Sequence, residues 1–129
     1  MTARQLGCAL ALGGVALAGL ATSAPASRTI TPPARVQVVA SEFSFSLSRR
    51  TIKTGPAVIE LTNFGEDPHD LYMRRIARRT VTLKVKETLP EHQKILRARL
   101  APGRFVLWCS IADHRKRGME AHLTVTKRR

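Results

Sequence analysis

Apolar and polar positions alternate along Phe43-Ser-Phe45-Ser-Leu47, the two-residue period of a strand with one face on a core and one in water. Short apolar, β-branched stretches recur at Val36–Ala40, Ala57–Thr62, Leu71–Arg74, Thr80–Val85, Ile95–Leu100, Phe105–Trp108 and His122–Thr126. Gly55-Pro56 and Pro102-Gly103 are turn signals between them. Residues 86–94, around Pro90, read as a loop or one helical turn. No helical period is sustained beyond residue 26, and there is no internal repeat or low-complexity tract. The pattern predicts an all-β domain, an antiparallel sandwich or barrel of about seven or eight short strands.

The beginning of the chain is patterned differently. Arg4 precedes an apolar run from Leu6 to Leu20, and small residues follow at Ala21-Thr-Ser-Ala24-Pro-Ala26. This is the layout of a secretory signal peptide cut after Ala26. The run falls short of the ~20 residues that a spanning helix needs, so a retained anchor is the weaker reading. Cys8 sits early in this run, whereas lipid attachment needs a cysteine after the apolar stretch. The organisation expected is residues 1–26 as signal peptide, 27–34 as a flexible leader and 35–129 as one domain. Export places that domain in the periplasm or outside a bacterial cell.

Charge narrows the partners. The chain carries 22 basic and 9 acidic residues, a formal charge of +13. The cations form separate clusters at Arg49-Arg50, Arg74-Arg75, Arg78-Arg79, Arg115 to Arg117 and Lys127 to Arg129. A domain so basic seeks an acidic protein or an anionic membrane surface. The export signal and the lack of a nucleic-acid motif exclude nucleic acid. A monomer is the default state.

The candidate chemistry lies near the end of the chain. Cys109, His114 and Met119 follow one another at five-residue steps, and His69 stands upstream in Asn63-Phe-Gly65-Glu-Asp-Pro-His69. With the first 26 residues removed, Cys109 is the only cysteine. A lone thiol in an exported protein needs burial, an intermolecular partner or a metal. Two imidazoles, a thiolate and a distant thioether are the donor set that selects copper for electron transfer. Soft sulfur favours Cu(I), and imidazole tolerates Cu(II).

These residues carry a resemblance. Leu100-Ala-Pro-Gly103-Arg-Phe-Val-Leu-Trp108-Cys109-Ser110, then His114, Gly118-Met119 and Leu123-Thr-Val125, resembles the closing strands of a cupredoxin, the blue copper family of plastocyanin and azurin. Leu61-Thr-Asn63-Phe-Gly65 with His69-Asp70-Leu71 is similar to that family's first-histidine motif. The resemblance spans about residues 35–126. It implies a cupredoxin-like Greek-key β-sandwich and one type 1 copper ion. His69, Cys109 and His114 would form the trigonal ligand set, with Met119 as a weak axial ligand. It also implies that Asp70 and Ser110 tie the two ligand loops together and that Asn63 starts the first-histidine loop. Trp108, where an aromatic residue is common, is expected to pack under the site, the alternative being a place on an electron path.

Three departures from the family pattern matter. Asp70 stands where many members carry Asn. Ala112-Asp113 replaces the proline often found before the loop histidine, which predicts a looser loop. Arg115, Lys116 and Arg117 replace a mostly apolar docking face and predict an acidic redox partner. Those cations favour Cu(I), whereas Asp70, Asp113 and Glu120 favour Cu(II).

The function expected is a small exported blue copper protein that shuttles single electrons and transforms no substrate. The chain has no haem-attachment motif, phosphate loop or catalytic triad. The alternative is a periplasmic copper carrier or chaperone, or an accessory copper module with no shuttle role.

Overall fold

The computed structural model describes residues 30–77 and 81–129. The expected signal peptide and the start of the expected leader lie outside the described residues. So do Arg78, Arg79 and Thr80.

Nine strands follow in order: β1 (Ala34–Ser41), β2 (Ser44–Leu47), β3 (Thr51–Lys53), β4 (Gly55–Asn63), β5 (His69–Arg75), β6 (Leu83–Thr88), β7 (Gln93–Leu100), β8 (Gly103–Trp108) and β9 (Glu120–Thr126). There is no helix among the described residues. One sheet has four strands in the order β2-β1-β4-β7, and the other has five in the order β3-β9-β8-β5-β6. The chain therefore crosses between sheets after β2, β3, β4, β6 and β7, which wraps the two layers into the all-β Greek-key sandwich that the sequence predicts.

Alternation builds the core. In β1, Val36, Val38 and Ala40 are buried while Arg35 and Gln37 face water. Ile59 and Leu61 from β4 join them, and Leu71, Met73, Leu107, Leu123 and Val125 close the core from the five-stranded sheet. Leu107 and Leu123 have no exposed surface. Truncating either to Ala would cost about 2–5 kcal/mol.

The observed fold differs from the expected pattern in three places. The described residues form nine strands, because Thr51–Lys53 is too short to show a period yet pairs with β9 through Thr51–Thr124, Ile52–Val125 and Lys53–Thr126. The sheets are mixed, with β1 parallel to β4 and β3 parallel to β9. The strand expected at Thr80–Val85 instead lies at Leu83–Thr88, leaving Val81 83% exposed. Lys86–Thr88 thus belongs to a strand, and residues 89–92 form a tight turn.

The connections β1–β2, β4–β5, β6–β7 and β8–β9 all emerge at the same end of the sandwich. That end carries the chemistry.

Candidate metal centre

His69 opens β5, Cys109 directly follows β8, and His114 lies in the connection to β9. Neighbouring strands β5 and β8 therefore deliver two of the three side chains to one point. His69 and Cys109 have no exposed surface, and His114 is 6% exposed. The two Nδ1 atoms are 3.2 Å apart. Cys109 Sγ lies 3.6 Å from His114 Nδ1. One donor atom from each of the three residues falls within 4.8 Å of the others.

These separations match a single bound ion. At near-tetrahedral angles, metal bonds of about 2.0 Å to nitrogen and 2.3 Å to sulfur place two nitrogens roughly 3.2 Å apart, and nitrogen and sulfur roughly 3.6 Å apart. Burial pushes the Cys109 thiol above its ordinary pKa of 9.0, because desolvation penalises the thiolate. A cation among these three donors would supply the missing compensation.

A bulge makes the arrangement possible. The pairing of β5 with β6 shifts register between His69 and Leu71. His69, Asp70 and Leu71 are consequently all buried, which a regular strand with one wet face would not allow. Asp70 turns toward the cysteine loop. Its Oδ1 accepts from the Ser110 backbone N–H at 2.6 Å, and its Oδ2 from the Ser110 hydroxyl at 2.5 Å.

Asn63 closes the first-histidine loop. Its Nδ2 donates to the carbonyls of Asp67 (2.8 Å) and Thr88 (2.9 Å), and its Oδ1 accepts from the Gly65 N–H (2.8 Å). All three side-chain bonds are made by a residue with no exposed surface. Met119 is likewise fully buried. Its N–H donates to the His114 carbonyl (3.1 Å), and its carbonyl accepts from the Cys109 N–H (3.2 Å). The backbone of Met119 therefore staples the loop that carries Cys109 and His114. Gly118 beside it sits at φ +109°, a conformation that favours glycine.

The structure places other residues differently from the sequence expectation. Trp108 does not lie under the site. Cys109 points inward, so Trp108 points outward, where it stacks on Tyr72 at 5.6 Å and carries the Arg115 guanidinium at 4.7 Å. The three loop cations are all exposed, and two of them are engaged with neighbours. Arg115 pairs with Glu120 at 2.8 Å, and Arg117 lies 3.5 Å over the Phe43 ring. The loop itself is held by a series of short turns rather than by proline, with Arg117 N–H on the Asp113 carbonyl and Gly118 N–H on that of Arg115. His92 and His122 are exposed and are not part of the cluster.

Two residues near the centre were missed in the sequence. The Phe43 ring lies 4.7 Å from that of His114 and covers it. Glu42 places Oε1 3.1 Å from His69 Nε2, 2.8 Å from the Glu66 N–H and 2.8 Å from the Asp67 N–H. The Asp67 N–H leads the causes that hold the Glu42 carboxyl well down, at about 2. The only hint in the sequence is that Glu42 is the first acidic residue of a strongly basic chain.

No protein-family model matches the chain, and no curated protein is similar to it in sequence. Solved structures are similar to it in fold. Reduced auracyanin from Roseiflexus castenholzii superposes with a TM-score of 0.61 at 16% identity, over 74% of this chain and 99% of that one. Auracyanin A, a "blue" copper protein from Chloroflexus aurantiacus, gives 0.59 at 10% identity, over 74% and 100%. A multicopper oxidase gives 0.56 at 16% identity over 74% of this chain, but 45% of its own. The fold is that of the cupredoxins, and the His69, Cys109 and His114 cluster fits a type 1 copper site.

Proposed function

We propose that this protein is a small exported electron carrier that holds one copper ion between His69 Nδ1, Cys109 Sγ and His114 Nδ1, with Met119 as a weak fourth ligand. The observation that carries this reading is the spacing of three buried donor atoms at distances set by one ion. Copper bound there supplies a one-electron couple between Cu(I) and Cu(II). The protein's part is to keep one geometry in both states. The Asp70–Ser110 clasp, the Asn63 bonds and the Met119 staple fix the two loops to each other and to the sheets. Burial of His69, Cys109 and Met119 excludes water, and the covered edge of His114 is the ligand nearest solvent. Such a closed site suits electron transfer better than release of copper to another protein. The reading is not that of an enzyme.

Export rests on the pattern of residues 1–26 and on the lone thiol of the domain. The partner side rests on charge. Eight of the nine acidic residues lie at strand ends and connections on the ligand-bearing end, and the ninth, Glu60, is within β4. Lys116 remains an exposed cation beside His114 and would steer an acidic redox partner. The opposite end, with Arg49, Lys53 and Lys127 to Arg129, is cationic and suits an anionic membrane surface.

The deciding experiment is the visible absorption and EPR spectrum of residues 27–129 after Cu(II) is added, beside Cys109→Ser. An intense thiolate-to-copper band with narrow copper hyperfine splitting, lost in the variant, supports the reading. An ordinary tetragonal copper spectrum unchanged by the variant overturns it.

A further inference from the structure

We infer that Glu42 is the positioning residue of the metal centre: its carboxylate holds the His69 proton on Nε2 and so leaves Nδ1 bare toward Cys109 and His114. The inference rests on the metal reading above for its consequence, but not for its geometry.

Glu42 comes from β1–β2, a connection 27 residues away from His69 and outside both ligand loops. A carboxylate has no proton to donate, so the 3.1 Å contact with His69 Nε2 requires the ring to donate. A neutral imidazole carries one N–H, and the other nitrogen is then a lone pair. That other nitrogen is Nδ1, the atom facing His114 Nδ1 at 3.2 Å. The tautomer needed for ligation is therefore set without the ion. A carboxylate behind a ligating imidazole also raises its basicity.

The same oxygen accepts the backbone N–H groups of Glu66 and Asp67. This orients Oε1 and couples the first-histidine loop to the end of β1. The chain keeps room for the group: a Cβ on Gly65 would meet Glu42 Oε1 at 2.2 Å. A side chain at Gly65 would thus push the carboxylate out of place, and the Asn63-Phe-Gly65 motif acquires a second reason beyond its turn. With its side chain 29% exposed, Glu42 sits at the edge of the site rather than inside it.

A pure loop clasp predicts different behaviour from a positioning carboxylate, and two variants separate them. Glu42→Gln keeps an oxygen for the three N–H groups and removes the charge. Gly65→Ala keeps the charge and displaces it. The first measurement is nitrogen-15 NMR of the His69 ring in the metal-free protein at neutral pH. The Nε2–H tautomer in the parent protein, and a mixture of tautomers in Gly65→Ala, are expected. An Nδ1–H tautomer in the parent would overturn the inference whether or not the protein ever binds copper. The second is Cu(II) titration and the reduction potential. Gly65→Ala should lose roughly 10–100-fold in copper affinity. Glu42→Gln should shift the potential upward, since an anion behind the ligand favours Cu(II). A potential and affinity unchanged in both variants would reduce Glu42 to a clasp. The expected tautomer in a protein that gives no thiolate–copper spectrum would sink the function and leave this inference standing.

Discussion

Asp70 grips Ser110 twice, by the backbone N–H at 2.6 Å and by the hydroxyl at 2.5 Å. The strand that delivers the first histidine is thereby tied to the residue after the cysteine, across 40 positions of sequence. An Asn side chain can accept from the N–H and donate to the hydroxyl, so Asp70→Asn should keep the clasp and the fold. It removes one negative charge near the copper, and the reduction potential should rise. Asp70→Ala removes both bonds to the exposed Ser110 and should cost about 1–3 kcal/mol in chemical denaturation. A potential unchanged in Asp70→Asn would show that solvent screens this carboxylate.

The Cys109 thiol yields a prediction about pH. Its pKa is raised by burial, so the metal-free protein at pH 7 carries the protonated thiol. Copper must displace that proton, and the apparent affinity should fall about tenfold for each unit of pH below the thiol pKa. Calorimetry in buffers of different ionisation enthalpy should register about one proton released per ion. For the metal-free fold the sign is opposite in direction: a raised folded pKa contributes stability below the ordinary 9.0, and that stability is lost as pH rises through and above it. Denaturation midpoints of the metal-free protein between pH 7 and 10 would reveal this.

Ala112 occupies φ +45° in the ligand loop, two residues before His114. Proline fixes φ near −65° and cannot adopt that conformation. Ala112→Pro should therefore loosen the site instead of stiffening it, with a loss of about 1–3 kcal/mol and a broadened copper spectrum. Ala112→Gly relieves the left-handed strain but gains freedom in the unfolded chain, and these effects nearly cancel. Thermal unfolding of the two variants side by side would separate strain from loop entropy.

Asn63 is the strongest single support of the first-histidine loop. Asn63→Ala would strand two carbonyls and one N–H that are now satisfied. The expected loss is roughly 3 kcal/mol, together with faster amide exchange at Gly65. A stability loss below ~1 kcal/mol would mean that water replaces the amide without strain.

Arg115, Lys116 and Arg117 are all exposed, and Arg115 and Arg117 are in addition engaged with Glu120 and Phe43. Lys116→Gln should slow association with an acidic redox protein at low salt by nearly as much as neutralising all three. Stopped-flow rates as a function of ionic strength would decide it. Equal slopes for parent and triple variant would remove this loop from the docking face.

Much of this was legible in the chain because the relevant information is local. The period-two stretches gave most of the strands, and Cys109, His114 and Met119 lie within one loop. What escaped depends on distant pairing. β3 exists because β9 offers an edge to Thr51–Lys53, not because three residues show a period. The contact between Glu42 and His69 joins loops that no spacing rule connects. Trp108 was misplaced although strand alternation contained the answer: with Cys109 inward, its predecessor must face outward. The loop cations were read as charge alone, but their aromatic and carboxylate partners lie on other strands and connections.

Of the four proposed ligands, His114 alone has any exposed surface, at 6%. Electrons that arrive and electrons that depart would then use the same doorway. A donor seated over His114 would physically bar an acceptor, and the two must visit in turn. Steady-state kinetics with both present should follow a ping-pong pattern, with each partner inhibiting the other at high concentration. The rate at which one partner leaves, rather than the copper centre, would set the pace of transfer.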